Sequence, residues 1–212
     1  MAGVKTERRS TKGFPTAGRV KGSKCQFYFI RHSQIFASVV HEIVEAKFLG
    51  EVSPDSLTLS QFHLLKVIGL NGTHQVGELA GFLGVSPPAA TKSIDKLERL
   101  GLIVRNPSKG DRRATLLSPS AKGRRLVQRY EGLKADRLAP VLQKFSSKEL
   151  DSFARFLERF SVSLLDLEQP GRGFCLRCGA YIEEGCPVGQ TRGGCPYQTA
   201  RAAHAKAAEG VS

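Results

Sequence analysis

Four thiols fall within twenty-one residues of the sequence: Cys175-x-x-Cys178, then Cys186, then Cys195, inside GFCLRCGAYIEEGCPVGQTRGGCPYQ. Thiolates packed so closely repel one another or oxidise unless a cation neutralises them, and four suffice for a tetrahedral site. The spacing therefore predicts a metal at Cys175, Cys178, Cys186 and Cys195. Two identities fit it. Gly179, directly after Cys178, permits the turn that aims backbone N–H groups at sulfur in zinc sites, whereas the later pair is not a CxxC and both of its cysteines precede proline, as in iron–sulfur clusters. Zinc would staple a segment too small to own a core, and a cluster would add redox or oxygen sensing. Cys25 stands alone before an apolar stretch and reads as a small buried or semi-exposed residue. His32, His41, His63, His74 and His204 are scattered singly and read as surface or satisfied core histidines, with His204 only a remote reserve ligand.

A second kind of chemistry, the capture of phosphates, is written in DRRATLLSPSAKG, residues 111–123. A turn rich in Pro107, Ser108, Lys109 and Gly110 separates two β-prone runs, Leu102–Arg105 and Ala114–Leu117, and puts Arg112 and Arg113 at or beside the tip of a charged hairpin. Residues two apart on a strand share a face, so Asp111 is expected to orient the Arg113 fork. Bulk charge agrees with this reading. The 212 residues carry a net charge of +13, with 32 Lys plus Arg against 19 Asp plus Glu, so the surface must attract polyanions, nucleic acid first among them.

The elements that must position these groups follow from apolar periodicity. Residues 1–24 are polar, basic and glycine-containing, too poor in apolar surface to offset the entropy of ordering, and read as a basic disordered arm. From Phe27 to Leu49, Phe36, Val39, Val40, Ile43 and Val44 recur at helical steps, with Gly50 and Pro54 expected to close the helix. Ser60 reads as the N-cap of a short helix with Phe62, Leu65 and Ile68 or Gly69 on one face, stopped by Asn71-Gly72. A further helix over Gln75–Leu83, a turn at Gly84 and a new start at Ser86-Pro87 make a helix-turn-helix. Its second helix, Pro87 to Leu100, turns Ala90, Ile94 and Leu97 inward and leaves Thr91, Lys92, Asp95, Lys96 and Arg99 outside.

In a helix-turn-helix the first turns of the second helix enter the major groove, which nominates Ser86, Pro87, Pro88, Ala89, Thr91 and Lys92 as DNA-facing, with Lys109, Arg112 and Arg113 of the hairpin beside them. Few long side chains stand at that helix start, so Thr91, Lys92 and the hairpin arginines must do much of the reading, and the turn's remaining amide groups are expected to meet a phosphate. After the hairpin, Ser120 caps a helix carrying Leu126, Tyr130, Leu133, Leu138, Val141, Leu142 and Phe145, weakened by Gly132. Leu150, Phe153, Leu157, Phe160, Leu164 and Leu167 then form a heptad-like seam long enough to want a partner helix.

Leu79 to Gly123 (LAGFLGVSPPAATKSIDKLERLGLIVRNPSKGDRRATLLSPSAKG) resembles the winged helix-turn-helix of the MarR family of transcriptional regulators. The family's hydrophobic-Asp-x-Leu-Glu-x-x-Gly-Leu segment stands here as Ile94-Asp95-Lys96-Leu97-Glu98-Arg99-Leu100-Gly101-Leu102, and its Asp-x-Arg wing as Asp111 and Arg113. The resemblance extends loosely over Phe27 to Leu167 and implies a mainly α fold with a small β-hairpin wing and long dimerisation helices. It implies a homodimer on a pseudo-palindromic double-stranded operator, repression as the commoner outcome, and a small-molecule pocket between the dimer helices and the reading head. Three parts are thus expected: the arm, a winged helix-turn-helix domain over 25–168, and a Cys-rich extension with an Ala-rich tail over 169–212.

Two functions compete on these residues. One is a dimeric, sequence-specific regulator answering a small-molecule, redox or metal signal, and the other is a metal-bearing adaptor or nucleoid-type DNA binder with little sequence preference. Catalysis is not expected, since no Gly-rich phosphate loop, HExxH or nucleophile elbow occurs and four thiols leave no open metal position. Charges and glycines stand where a signal peptide would need an apolar run, and no 18 consecutive apolar residues occur, so a cytoplasmic protein without membrane contact is expected.

Overall fold

The computed structural model describes residues 24–53, 57–70, 79–80, 85–107, 115–165 and 167. The chain divides into two units, one up to His41 and one from Glu42. In the first, α1 (Lys24–Val39) carries local bonds only: Ser33 Oγ donates to Phe29 O at 2.9 Å, and His32 Nδ1 lies 2.7 Å from Tyr28 O. Phe27, Ile30, Ile35, Phe36 and Val39 are all exposed within this single copy. Cys25 is exposed too, against the expectation of a buried or semi-exposed thiol. The helical run does not close at Gly50. It passes through a π-helical stretch, Val40–Lys47, into α2 (Phe48–Val52), and it ends where Ser53 turns extended. The π stretch carries no signature in the apolar spacing.

The second unit is built round α3 (Leu59–Leu70). Its cap is Thr58 rather than Ser60: Gln61 N donates to Thr58 Oγ1 at 3.3 Å while Thr58 N donates to Gln61 Oε1 at 3.1 Å, a reciprocal capping box that starts the helix earlier. Phe62, Leu64, Leu65, Val67 and Ile68 are buried, so α3 is the central rod of the core, apolar on nearly every side. That is broader than the single face its spacing suggested. Leu79 and Ala80 are helical and buried, and Val85 N donates to Ala80 O at 3.2 Å on the way to α4 (Pro87–Arg99).

Ala90, Ile94 and Leu97 of α4 are fully buried, as their spacing predicts. The helix ends in a Schellman motif: Leu102 N donates to Leu97 O at 2.9 Å, Gly101 N to Glu98 O at 2.8 Å, and Gly101 takes φ +68°. A β-carbon at that φ would be strained, which explains the glycine. The chain then enters β1 (Ile103–Pro107), paired antiparallel with β2 (Thr115–Pro119) so that Ile103 faces Pro119 and Arg105 faces Leu117. Strand alternation sends Ile103, Leu117 and Pro119 into the core and leaves Val104 and Asn106 on the outer face, where Asn106 Nδ2 donates to Ser118 Oγ at 3.0 Å.

Ser120 accepts from Gly123 N at 3.0 Å and starts α5 (Ala121–Leu142), which runs unbroken past Gly132, and α6 (Ser147–Leu165) follows. Leu126 and Tyr130 of α5 close the core over α3, with the Phe62 and Tyr130 rings 4.6 Å apart. Farther along, Val141, Leu142, Phe145, Phe153, Phe156 and Leu164 are exposed. A capping box holds the start of α6: Ser146 N donates to Glu149 Oε2 at 2.8 Å, and hydrogen bonds from Ser146 keep that carboxyl below the usual carboxylate range. Among the described residues no helix is long and apolar enough to cross a membrane.

Candidate nucleic-acid interface

Helix α4 and the β1–β2 hairpin stand side by side on the α3 core, and their outer surfaces make the candidate interface. The head of α4 follows from its sequence. Ser86 is extended and its side chain accepts from Ala89 N at 3.4 Å, while Pro87 and Pro88 occupy the first turn, where an N–H would have no helical partner. Ser86, Pro87, Pro88, Ala89, Thr91 and Lys92 are all exposed, as a groove-entering surface requires. Thr91 Oγ1 donates to Pro87 O at 3.0 Å, which fixes its hydroxyl and turns its remaining acceptor capacity and methyl outward.

One expectation for this turn fails. Pro87 and Pro88 have no N–H, the Ala89 amide is directed at Ser86 Oγ, and Ala90 N donates to Ser86 O at 3.0 Å, so no amide of the first turn is left for a phosphate. Phosphate binding here must come from side chains. At 100° per residue Lys92, Lys96 and Arg99 form one stripe down the helix, and Thr91, Asp95 and Glu98 form the stripe between it and the buried face. The basic stripe ends at the helix C-terminus, where the cations Lys96 and Arg99 also complement the dipole.

The hairpin shows a contact that sequence reasoning missed. Arg105 on β1 reaches back to α4, where its Nη2 pairs with Asp95 Oδ1 and its Nε lies 3.0 Å from Glu98 Oε2. The signal was available, since Arg105 lies two residues beyond buried Ile103 on one strand face and Asp95 and Glu98 lie one helical turn apart. At the foot of the hairpin, cations of α5 are tied to backbone carbonyls: Lys122 Nζ donates to Leu100 O at 2.9 Å and Arg124 Nη1 to Pro119 O at 2.7 Å. Lys109, Asp111, Arg112 and Arg113 lie outside the described residues, so the proposed orienting of Arg113 by Asp111 does too. Cys175, Cys178, Cys186 and Cys195 likewise lie outside them, and among the described residues no group of three or more His, Cys, Asp or Glu could hold a metal.

Behind the interface, a cleft of about 230 Å³ opens between α3 and α5, walled by Leu65, Gly69, Pro119 and Val127, with Lys66, Arg124 and Gln128 at its edge. Lys66 is nearly fully buried. Its Nζ donates to Glu131 Oε1 at 2.5 Å and stacks over the rings of Phe62 and Tyr130, at 5.9 and 5.7 Å from their centroids. Burial pushes the Glu131 carboxyl up, but hydrogen bonds from Lys134 and Lys66 outweigh it and hold the group below the usual range. Burial, with Glu131 and Glu45 nearby, pushes Tyr130 up to about 12, and its hydroxyl donates to Val44 O at 2.9 Å.

Residues 57–115 match the profile described as the MarR family. The fold is a MarR-type winged helix. A MarR family transcription regulator, SP03579, aligns with TM-score 0.59 at 18% identity over 69% of this chain and 95% of its own. FabT from Streptococcus pneumoniae, solved in complex with DNA, aligns with TM-score 0.57 at 25% identity over 68% of this chain and 99% of its own. RV1404 from Mycobacterium tuberculosis aligns with TM-score 0.54 at 24% identity over 64% of this chain and 94% of its own. In this fold β1–β2 is the hairpin wing and α4 the helix that precedes it, the order of elements that the motifs implied.

Proposed function

We propose that this chain is a sequence-specific, homodimeric transcription regulator of the MarR family, acting as a repressor on a pseudo-palindromic duplex. One observation carries the reading: an exposed helix head with Thr91 and Lys92 stands beside a two-stranded wing on one rigid core, in a fold shared with a DNA-complexed neighbour. Thr91 and Lys92 read base edges, and Lys109, Arg112 and Arg113 of the wing hold phosphates, with Ser86, Pro87, Pro88 and Ala89 letting the helix head approach closely. Catalysis has no part in this reading.

Dimerisation is supported by the apolar residues that each unit leaves in water, those of α1 in the first and Val141, Leu142, Phe145, Phe153 and Phe156 in the second. Two reading helices about 34 Å apart then match one DNA turn. The cleft between α3 and α5, apolar in its walls, suits a small-molecule effector. The four-cysteine box adds a metal, zinc or an iron–sulfur cluster, supported by its spacing alone. Elemental analysis and a visible spectrum after anaerobic purification are expected to show stoichiometric metal. Four freely titrating thiols in a protein whose fold and DNA affinity survive chelation would remove it.

Competition between operator and bulk DNA tests the whole reading. A regulator keeps its operator in excess random duplex, whereas the alternative, a nucleoid-type binder or adaptor, is displaced in proportion to mass. Arg113→Ala is expected to weaken operator and random duplex about equally at fixed salt and to reduce the salt slope by roughly one unit. Thr91→Ala is expected to alter sequence preference and leave that slope in place. Wild-type binding by the Arg113 variant would remove the wing from the interface.

A further inference from the structure

We propose that Arg105 is a positioning residue of the DNA-binding head, which sets the wing against the reading helix and screens two carboxylates that would otherwise repel the duplex. This rests on the DNA-binding reading above. Asp95 and Glu98 continue the stripe that Thr91 begins, so both acids lie on the side of α4 next to the base-reading residue. Left alone, carboxylates there oppose any phosphate that the wing approaches. Arg105 meets both of them with one guanidinium, through Nη2 to Asp95 and through Nε to Glu98. Its side chain is only 36% exposed, and the two acids are more open at 50% and 42%.

The strand register gives the contact its mechanical sense. Arg105 shares the inward face of β1 with Ile103, and its cross-strand neighbour is the buried Leu117. At this register the ion pairs to α4 add to the anchoring that Ile103 and Leu117 supply through apolar contacts nearer the hairpin's foot. A planar fork matched to two acceptors fixes direction as well as distance, which a point charge cannot do. The guanidinium is thus spent on α4 and does not itself hold a phosphate. Exposed ion pairs add little to folding stability, so variants here are expected to fold.

The test is a double-mutant cycle on duplex affinity across a salt series, with circular dichroism confirming the fold of each variant. Arg105→Ala is expected to weaken binding about tenfold. In an Asp95→Asn, Glu98→Gln background the same change is expected to cost less than twofold, because the clamp is already gone. Arg105→Lys, with charge but no fork, is expected to fall between. Arg113→Ala is expected to cost less in the Arg105→Ala background, since a displaced wing has less to lose; a role in folding alone would leave that coupling at zero. A direct phosphate contact predicts the opposite pattern: equal losses in both backgrounds and a salt slope smaller by roughly 0.9. That outcome, or wild-type affinity in Arg105→Ala, overturns the proposal. Failure of the wild-type chain to bind any duplex overturns the DNA-binding reading and the clamp together.

Discussion

Gly123→Ala is expected to destabilise the protein by about 3 kcal/mol, near the upper end of overpacking effects. A β-carbon built on Gly123 would stand 2.1 Å from Leu102 O and 3.1 Å from Leu65 Cδ1. Neither neighbour can retreat cheaply. Leu102 O accepts Ser120 N at 2.9 Å, Leu102 closes the Schellman motif through its own N–H, and Leu65 is fully buried in the central rod. The glycine therefore sets how closely the first turn of α5 can lie on the junction between α4 and the wing. Urea unfolding measures the effect as a lower midpoint with an unchanged slope. Because the displaced strand is β1, DNA affinity is expected to fall as well at temperatures where the variant remains folded. A midpoint equal to wild type would mean that this close approach is not a constraint.

Removing the Glu131 carboxylate is the second large effect. Lys66 keeps only 7% of its side chain exposed, and the Glu131 carboxylate meets it across the α3–α5 contact. Removing one partner of a buried pair is costly, and the partial exposure of Glu131 puts Glu131→Leu at about 2–3 kcal/mol, at or below the low end for such losses. Since the folded-state carboxyl lies below its unfolded value, the native state favours the ionised form. The contribution is therefore complete above the unfolded value, roughly pH 4.3, and is lost as pH falls through the lower folded value. The stability gap between wild type and Glu131→Gln is expected to be widest near neutrality and to shrink below about pH 4. Lys66→Met combined with Glu131→Leu is expected to recover most of the loss, because an apolar pair of similar volume carries no desolvation penalty. A gap that stays constant between pH 7 and pH 3 would contradict the assignment.

The sequence made the winged helix legible because its signals were local and agreed with one another. Ala90, Ile94 and Leu97 announced the inward face of α4 and Ser86-Pro87 its start, whereas Gly101 stood in the sequence only as part of the family motif, and its positive φ shows it to be the helix stop. The hairpin was visible as two β-prone runs around a turn, although paired strands extend farther toward Pro107 and Pro119 than those runs. Signals failed where tertiary partners decide. Thr58 and Ser60 are both good caps, and only the reach of Gln61 selects Thr58. Gly50 reads as a stop, but Phe48, Leu49 and Val52 are all buried and hold the helix through it. Arg105 carries no local signal, because its contacts depend on two acids ten and seven residues earlier on another element. The free amides expected at the head of α4 were an inference from helix termini in general, and the Ser86 cap with its two prolines consumes them all.

Equilibrium binding of the untagged chain to a duplex carrying its operator, titrated from low to near-physiological salt against random duplex, bears most directly on the interface. The account predicts tight association of two copies per site, a steep fall in affinity with salt from several phosphate contacts, and a preference for operator that persists at the highest salt. A protein that stays single in solution and leaves both duplexes unbound at low ionic strength would contradict it.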